Sequence, residues 1–449
     1  MNSRTRRIRR ASRGRRPSVP FLAAALAALL LTATATACGG GADRPPVVLR
    51  APAPATPAPV DPAQAAATAD ATNAFGLDLL HTLTAAPDQA GRNLVLSPSG
   101  LATVLAMVLP GARGATAAEL AKALHTDLTP QQYALATGAL DRGTPPTGGP
   151  TLRRSDDLWV QQGFPLDQQY LGTLAAAFDT GVHTTDFRKD AEGSRRTVNA
   201  TVEKETEGRI KDLFGEKAID PNTRLVLTDA LYLKADWASP FRHGSTTDQP
   251  FHRLDGSAPT VATMSRTGVL RYAEGSGGIL GEPWQAVELP YAGGTLAMDL
   301  VVPAQGGFEA FRKGLDQAQL ALVLGSLADR PVDLALPRFH FDTAEDLVPA
   351  LRALGVAAAF DAADFGGIPG PGAQESLAIG AVAQKATVQV DEQGTVAAAG
   401  SGVGMTAAGA PAPQQAVQLH IDRPFLFLIR DTANGCPLFL GQVTDPQAR

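Results

Sequence analysis

The chain has 449 residues, 44% of them hydrophobic and 18% charged, which is enough apolar content for one large core or for two or three ordinary ones. Its formal charge of −5 hides an asymmetry: residues 1–37 hold Arg4, Arg6, Arg7, Arg9, Arg10, Arg13, Arg15 and Arg16 and no acid, leaving 31 basic against 44 acidic side chains, a net −13, for the remainder. A body this acidic would repel phosphates, which argues against a nucleic-acid partner.

The arginines precede an apolar run, 21–31, that is too short to span a bilayer but suits the apolar region of an export signal. The run leads to Ala35-Thr36-Ala37-Cys38-Gly39-Gly40. This segment is similar to the bacterial lipoprotein cleavage box, in which small residues precede a cysteine that becomes the lipidated N-terminus, although Ala35 stands where leucine is usual. Residues 1–37 are therefore expected to be a signal peptide and Cys38 a lipidation site, with membrane contact only through that lipid. Ordinary secretion with Cys38 discarded or unmodified is the alternative, and Arg15-Arg16 also allows twin-arginine export. Only Cys436 remains besides Cys38, so a mature lipoprotein could form no internal disulfide. Cys436 is expected to be a small buried apolar residue rather than a nucleophile.

Residues 39–68, with Pro45-Pro46 and alternating Ala and Pro over 51–59, contain few large apolar groups. They read as an extended spacer, and 38–70 as a tether. From 71 to 449 there is no comparable linker and no repeat, so one large body is expected; a split near the Pro/Gly-rich stretch 144–150 is the alternative. Helical signals come first. Phe75, Leu79, Leu80 and Leu83 share one face, and Ser97-Pro98 is a cap and first-turn proline ahead of Leu101, Val104, Leu105 and Val108. Strand-like runs follow at 225–233, 286–290, 297–302, 332–336, 386–390, 425–429 and 438–443, mostly without strict alternation, as in sheets covered on both faces. Helices in front and strands behind make an α+β fold.

No His-Glu-x-x-His, Gly-x-x-x-x-Gly-Lys-Ser/Thr, Gly-x-Gly-x-x-Gly or Gly-x-Ser-x-Gly motif occurs. The seven histidines (81, 125, 183, 243, 252, 340, 420) are scattered, none at ligand spacing to another, and read as surface or packed residues. No catalytic residue, metal ligand or cofactor is expected, and the chain is expected not to be an enzyme.

The distinctive segment is 391–411, between the strand-like 386–390 and the apolar 424–429. Composition alone would make it a flexible Gly/Ala linker. Yet residues 395–410 contain no proline and no charge in a chain with 34 prolines, so the stretch could serve as a central strand. If extended, Thr395, Ala397, Ala399, Ser401, Val403 and Met405 share one face, all small or apolar. Pro411 and Pro413 follow at once, as if insertion were meant to stop before them.

Here the chain resembles the serpin family. Residues 392–400, Glu-Gln-Gly-Thr-Val-Ala-Ala-Ala-Gly, look like the serpin hinge, and 422–428 with 437–441 look like its two C-terminal strands. Asn93-Leu-Val-Leu-Ser-Pro98 resembles the family's buried helix start. Asn199, Val202, Glu203, Thr206, Gly208, Ile210 and Leu213 resemble its helix leading into the "breach" strand. Ala230-Leu-Tyr-Leu-Lys234 with Trp237 and Phe241 resembles that strand, and Leu336-Pro-Arg-Phe339, Asp346-Leu347, Leu354-Gly355 and Phe360 also fit. The resemblance spans about 71–446.

It implies the serpin fold, with helices around three β-sheets and an exposed reactive-centre loop at about 394–413 that can enter the principal sheet. It implies suicide-substrate inhibition of serine-type proteases: the loop is cleaved and inserted while the protease is held as an acyl-enzyme. A monomeric partner of serine-type proteases, without cofactor, is the corresponding expectation. The hinge is Gly394, Thr395, Val396, Ala397, Ala398, Ala399 and Gly400, and Gly394 at the family's hinge glycine puts the scissile bond at Ala408-Gly409. Counting back from the C-terminal strands instead lands near Pro413, and attack at Met405 or Ala407 is a further option. The fifteen residues 394–408 would span roughly 50 Å as a strand. Small Ala408 suits elastase-like or subtilisin-like pockets and leaves a trypsin-like pocket unsatisfied.

The resemblance also pairs Glu392 with Arg338 beside Trp237 at the breach. It places Ser97, Asp229 and Gln384 at the "shutter", with Asp229 for the usual asparagine, Gln384 for a histidine and Gly100 for a serine. Val396 replaces an acidic hinge residue. A serpin-fold binding protein whose loop is cut without insertion is the competing reading.

Overall fold

A computed structural model describes residues 46–52, 59–143, 149–275, 281–395 and 415–448. In chain order the strands are β1 (Val47–Leu49), β2 (Leu94–Leu96), β3 (Thr151–Gln161), β4 (Val182–Thr185), β5 (Leu225–Asp236), β6 (Thr246–Pro250), β7 (Thr260–Gly275), β8 (Trp284–Pro290), β9 (Leu296–Pro303), β10 (Ala328–Pro337), β11 (Phe339–Asp346), β12 (Ile379–Val390), β13 (Gly394–Thr395), β14 (Val417–His420), β15 (Phe425–Asp431) and β16 (Pro437–Val443). The helices are α1 (Pro62–Leu83), α2 (Pro87–Ala90), α3 (Pro98–Val108), α4 (Gly114–Ala123), α5 (Pro130–Arg142), α6 (Gln168–Phe178), α7 (Ala191–Glu205), α8 (Phe308–Gly314), α9 (Gln317–Gly325) and α10 (Val348–Ala353).

The principal sheet has the order β1-β4-β3-β5-β13-β12-β11. A second runs β14-β10-β7-β8-β9-β15-β16-β2, with β6 on β7. The resemblance implies three sheets. Here the long β7 pairs with β10 over most of its length and with β8 over its last five residues, so the second and third share one continuous ladder. This is the expected α+β architecture, and every strand-like run read from the sequence lies in an observed strand.

α3 forms because Ser97 caps it, its Oγ accepting from Gly100 N–H at 3.1 Å, and Pro98 occupies the first turn. All eleven of its residues are buried, which places it beneath the principal sheet. One core cluster lies among α1, α3, α5, α6 and that sheet; another lies between the two sheets, around Trp237, Tyr291, Phe339 and Phe427. A third, on the outer face, joins Val198 and Val202 of α7 to Trp159 of β3, Val226 of β5 and Ala381 and Ala383 of β12. α7 therefore packs on the outer face of the principal sheet, against β3.

The structure departs from the sequence reading in two places. The body begins before residue 71, since residues 45–449 form one compact unit and no division falls near 145. Within the presumed tether, Val47, Val48 and Leu49 pair antiparallel with β4, and α1 starts at Pro62 behind an Asp61 cap. An edge strand needs only three residues, and the alanines of 63–71 are strong helix formers although they add little apolar bulk. The second change is that Thr151–Gln161 is a central strand despite its charged Arg-Arg-Ser-Asp-Asp core, because those charges pair inside the protein.

Candidate functional site

The site is the seam between β5 and β12. Along most of it the two strands pair directly and in parallel, from Ile379 opposite Leu225 to Thr387 opposite Tyr232. At its upper end a two-residue strand, β13, is wedged between them and runs antiparallel to both: Gly394 and Thr395 lie opposite Asp236 and Ala235, and Thr395 opposite Val390. Gly394 is required there, since a Cβ would overlap the Ala235 carbonyl.

A tight turn delivers β13. Asp391 Oδ1 accepts from the N–H groups of Gln393 (2.9 Å) and Gly394 (3.3 Å), and Asp391 N–H donates to Gly394 O (3.0 Å). Trp237 clamps the turn from outside: its indole N–H donates to Asp391 O (3.0 Å) and its backbone N–H to Gln393 O (2.7 Å). The indole stacks on Tyr291, with centroids 4.6 Å apart and planes at 10°. The Tyr291 hydroxyl in turn shares a 2.7 Å hydrogen bond with Thr395 Oγ1, fixing the first threonine of the loop face-down in the core.

Glu392, only 1% exposed, is held by Arg338, whose Nε donates at 2.9 Å, and by the Thr246 hydroxyl; His243 Nδ1 stands 3.8 Å away. Burial opposes ionisation of this carboxyl, but the hydrogen bonds from Arg338 and Thr246 outweigh it and hold its pKa below the usual glutamate value.

Further down the seam lies a second polar cluster. Gln384 of β12 accepts from Ser97 N–H (3.1 Å), and its amide donates to Ser97 O (2.8 Å) and to Asp229 Oδ2 of β5, so one side chain ties α3, β5 and β12 together. Asp229 is fully buried, and its Oδ1 has no hydrogen-bond partner. Opposite it in register is Asp156 of β3. Burial pushes the Asp229 pKa up to about 6, against the lowering effect of Asp156 and of the hydrogen bond from Gln384. Asp156 is raised well above the ordinary value, first by burial and then by Asp229 and Asp141, against the pull of Arg154. Arg154 is paired with Asp141 and lies 3.2 Å from Asp156. Gly100 completes the cluster, because a Cβ on this residue would collide with the Asp229 carboxylate.

A family model described as Serpin (serine protease inhibitor) matches residues 70–446. The chain belongs to the serpin family. An uncharacterized serpin-like protein of Thermococcus kodakarensis is 35% identical over 382 residues, 84% of this chain and 85% of that protein. Plasminogen activator inhibitor 1 of Sus scrofa is 33% identical over 360 residues, 79% of this chain and 87% of that protein. The crystal structure of native protease nexin-1 with heparin superposes with a TM-score of 0.74 at 25% identity, covering 86% of this chain and 100% of that one. Serpins are for the most part protease inhibitors and not enzymes.

In this serpin the residues singled out from the sequence assemble into the two clusters: Glu392, Arg338 and Trp237 with Gly394 and Thr395 at the breach, and Ser97, Asp229 and Gln384 with Gly100 at the shutter. Val396, Ala397, Ala398, Ala399 and Gly400, the Ala408-Gly409 bond and Cys38 lie outside the described residues. Sequence reasoning missed Asp156, Arg154, Tyr291 and Thr246. The available signal was the like-spaced Arg154 and Asp156, which share a face in an extended segment. Cys436 is buried, and burial pushes its thiol up to about 12, far from a reactive thiolate. Neither cluster gathers metal-ligand side chains; among the described residues that occurs at Asp157, His183 and Glu205.

Proposed function

We propose that this serpin traps serine-type proteases by inserting its cleaved loop along the β5–β12 seam. The observation that carries this reading is β13, a loop start already seated between the two strands and antiparallel to both. Continuing its register one residue at a time places Ser401 opposite Asp229 on β5 and opposite Gln384 on β12. Asp229 and Gln384 are themselves partners in the closed seam, so the two counts agree. Met405 then falls opposite Leu225, the first residue of β5. Thr395 faces the core, so by alternation Ala397, Ala399, Ser401, Val403 and Met405 would enter the same face, where small or apolar side chains are needed.

Insertion replaces one parallel pairing by two antiparallel ones, each somewhat stronger per residue, and this supplies a downhill direction. A protease joined by its acyl bond at Ala408 would travel with the loop to the far pole. The small Ala408 side chain favours elastase-like and subtilisin-like proteases over trypsin-like ones. Export is part of the same proposal: residues 1–37 direct it, and a lipid on Cys38 holds the inhibitor at the outer face of the cell membrane, or the chain is secreted.

The test is incubation with a panel of elastase-like, subtilisin-like and trypsin-like proteases. The expected result is a denaturation-resistant band equal to protease plus inhibitor with an elastase or subtilisin, and a released peptide that begins at Gly409. If every protease clips the loop and keeps its activity, the trapping reading fails and the chain is a binding protein on the serpin fold.

A further inference from the structure

On the outer face of the principal sheet, three side chains from separate elements converge: Asp157 of β3, His183 of β4 and Glu205 at the end of α7. One donor atom from each lies within 4.8 Å of the others. We propose that these three residues bind a single divalent metal ion of the zinc class.

Four observations support the assignment. First, His183 Nε2 and Asp157 Oδ1 are 3.3 Å apart, long for a hydrogen bond between charged partners. It is the separation two ligands adopt on a tetrahedral ion, where bonds of ~2.0 Å set donors about 3.3 Å apart. Second, His183 and Asp157 are both more than nine-tenths buried, and it is His183 Nε2 that faces the Asp157 carboxylate. The ring is held in place by Trp159, 4.6 Å away. Third, neither carboxylate is within ion-pair distance of a Lys or Arg among the described residues; Asp157 is bonded to Ser155 Oγ, and Glu205 approaches Ser155 and Asp157. The oxygen and nitrogen donors of these three side chains are therefore not committed to a Lys or Arg partner. Fourth, Asp157 and Glu205 line a cleft of about 380 Å³, and Glu205 is exposed at its rim, so an ion has an entry path and a water can complete its coordination.

Imidazole nitrogen and carboxylate oxygen are both zinc donors, and with a water the three side chains would make up a four-coordinate site. Calcium, which takes six to eight oxygens, would find too few. The ion would tie the end of α7 to β3 and β4. Because β3 neighbours β5 at the seam, an ion that fixes α7 on β3 would stiffen one wall of the loop's path; that consequence rests on the trapping reading, whereas metal binding is measured without a protease.

The experiment is titration of the metal-stripped chain with Zn²⁺ by calorimetry, and with Co²⁺ by visible absorption, on the unaltered protein and on Asp157→Asn, His183→Gln and Glu205→Gln. One equivalent should bind, with Co²⁺ bands of tetrahedral intensity, and each substitution should weaken binding at least tenfold. His125→Gln, at an exposed histidine paired with Asp78, should bind as the unaltered chain does. Glu205 is exposed, so its variant reports even if the buried ones fold poorly. Absence of binding at micromolar Zn²⁺, or binding that survives Glu205→Gln unchanged, overturns the assignment.

Discussion

Replacing Asp229 by Asn should stabilise this protein, and only above a definable pH. The Asp229 carboxyl is fully buried, receives a hydrogen bond from Gln384, leaves Oδ1 unpartnered and faces Asp156 across the β3–β5 ladder. Its folded pKa of about 6 stands above the ordinary value of 3.8. A raised carboxyl pKa means that folding favours the protonated form. The stabilisation is complete below the unfolded pKa near 4 and is lost as pH rises through 6. At about 1.4 kcal/mol per unit the ionised form costs up to roughly 3 kcal/mol at pH 8. Asn is isosteric, carries no charge and still offers Gln384 an acceptor, but it changes the contact with Asp156, so a gain of about 1–3 kcal/mol is expected. Denaturant unfolding from pH 3 to pH 8 should show stabilities that lie closest near pH 3 and diverge mainly between pH 4 and pH 6, the variant changing less with pH. Parallel curves, or a variant less stable than the parent at pH 8, would refute the assignment of a buried ionised carboxylate to the shutter.

Three further outcomes follow from the same geometry. Ala397→Pro should leave the uncleaved protein's stability unchanged but abolish the denaturation-resistant protease complex, because a central strand uses both of its hydrogen-bonding edges; a gel with and without protease decides it. Gly100→Ala should cost about 1–3 kcal/mol in chemical denaturation by driving a methyl into the Asp229 carboxylate, and adding Asp229→Ala should recover part of that loss, a non-additivity of at least ~1 kcal/mol. Glu392→Gln should cost about 1–2 kcal/mol by weakening the charge-assisted bonds from Arg338 and Thr246. Glu392's lowered pKa contributes stability that is present above pH 4.3 and lost below it, so this difference should shrink in acid.

The apolar runs that became β5, β9, β12, β15 and β16 were legible because buried strands must exclude water from both faces, and composition records that directly. The strand β3 was not, because its inward Arg154 and Asp156 are reconciled with burial only through Asp141 and Asp229, which come from elsewhere in the chain. The breach pair Glu392–Arg338 was expected from family resemblance, yet its strength depends on Thr246 and on a turn clamped by Trp237, neither of which a linear spacing displays. The histidines gave no sign of clustering, since His183 meets its carboxylates only when three elements pack on one face. The start of the body was misjudged because alanines at 63–71 contribute helix propensity more than bulk.

Asp229 for asparagine and Gly100 for serine looked like two weaknesses at the shutter, yet they form one arrangement. The glycine leaves the space that the carboxylate occupies, so a serine at 100 would collide with Asp229. Near neutral pH that arrangement holds a partly unpartnered carboxylate inside the closed seam, which makes the closed state less stable. In the proposed inserted state Ser401 arrives between Asp229 and Gln384, and a hydroxyl there can donate to the Oδ1 that has no partner before insertion. An interaction that is costly when the seam is closed and satisfied when it is filled lowers the relative energy of the filled state. If the proposed trapping mechanism holds, the departures at the shutter would favour the filled state, and loop entry is the step that decides whether the protease is caught.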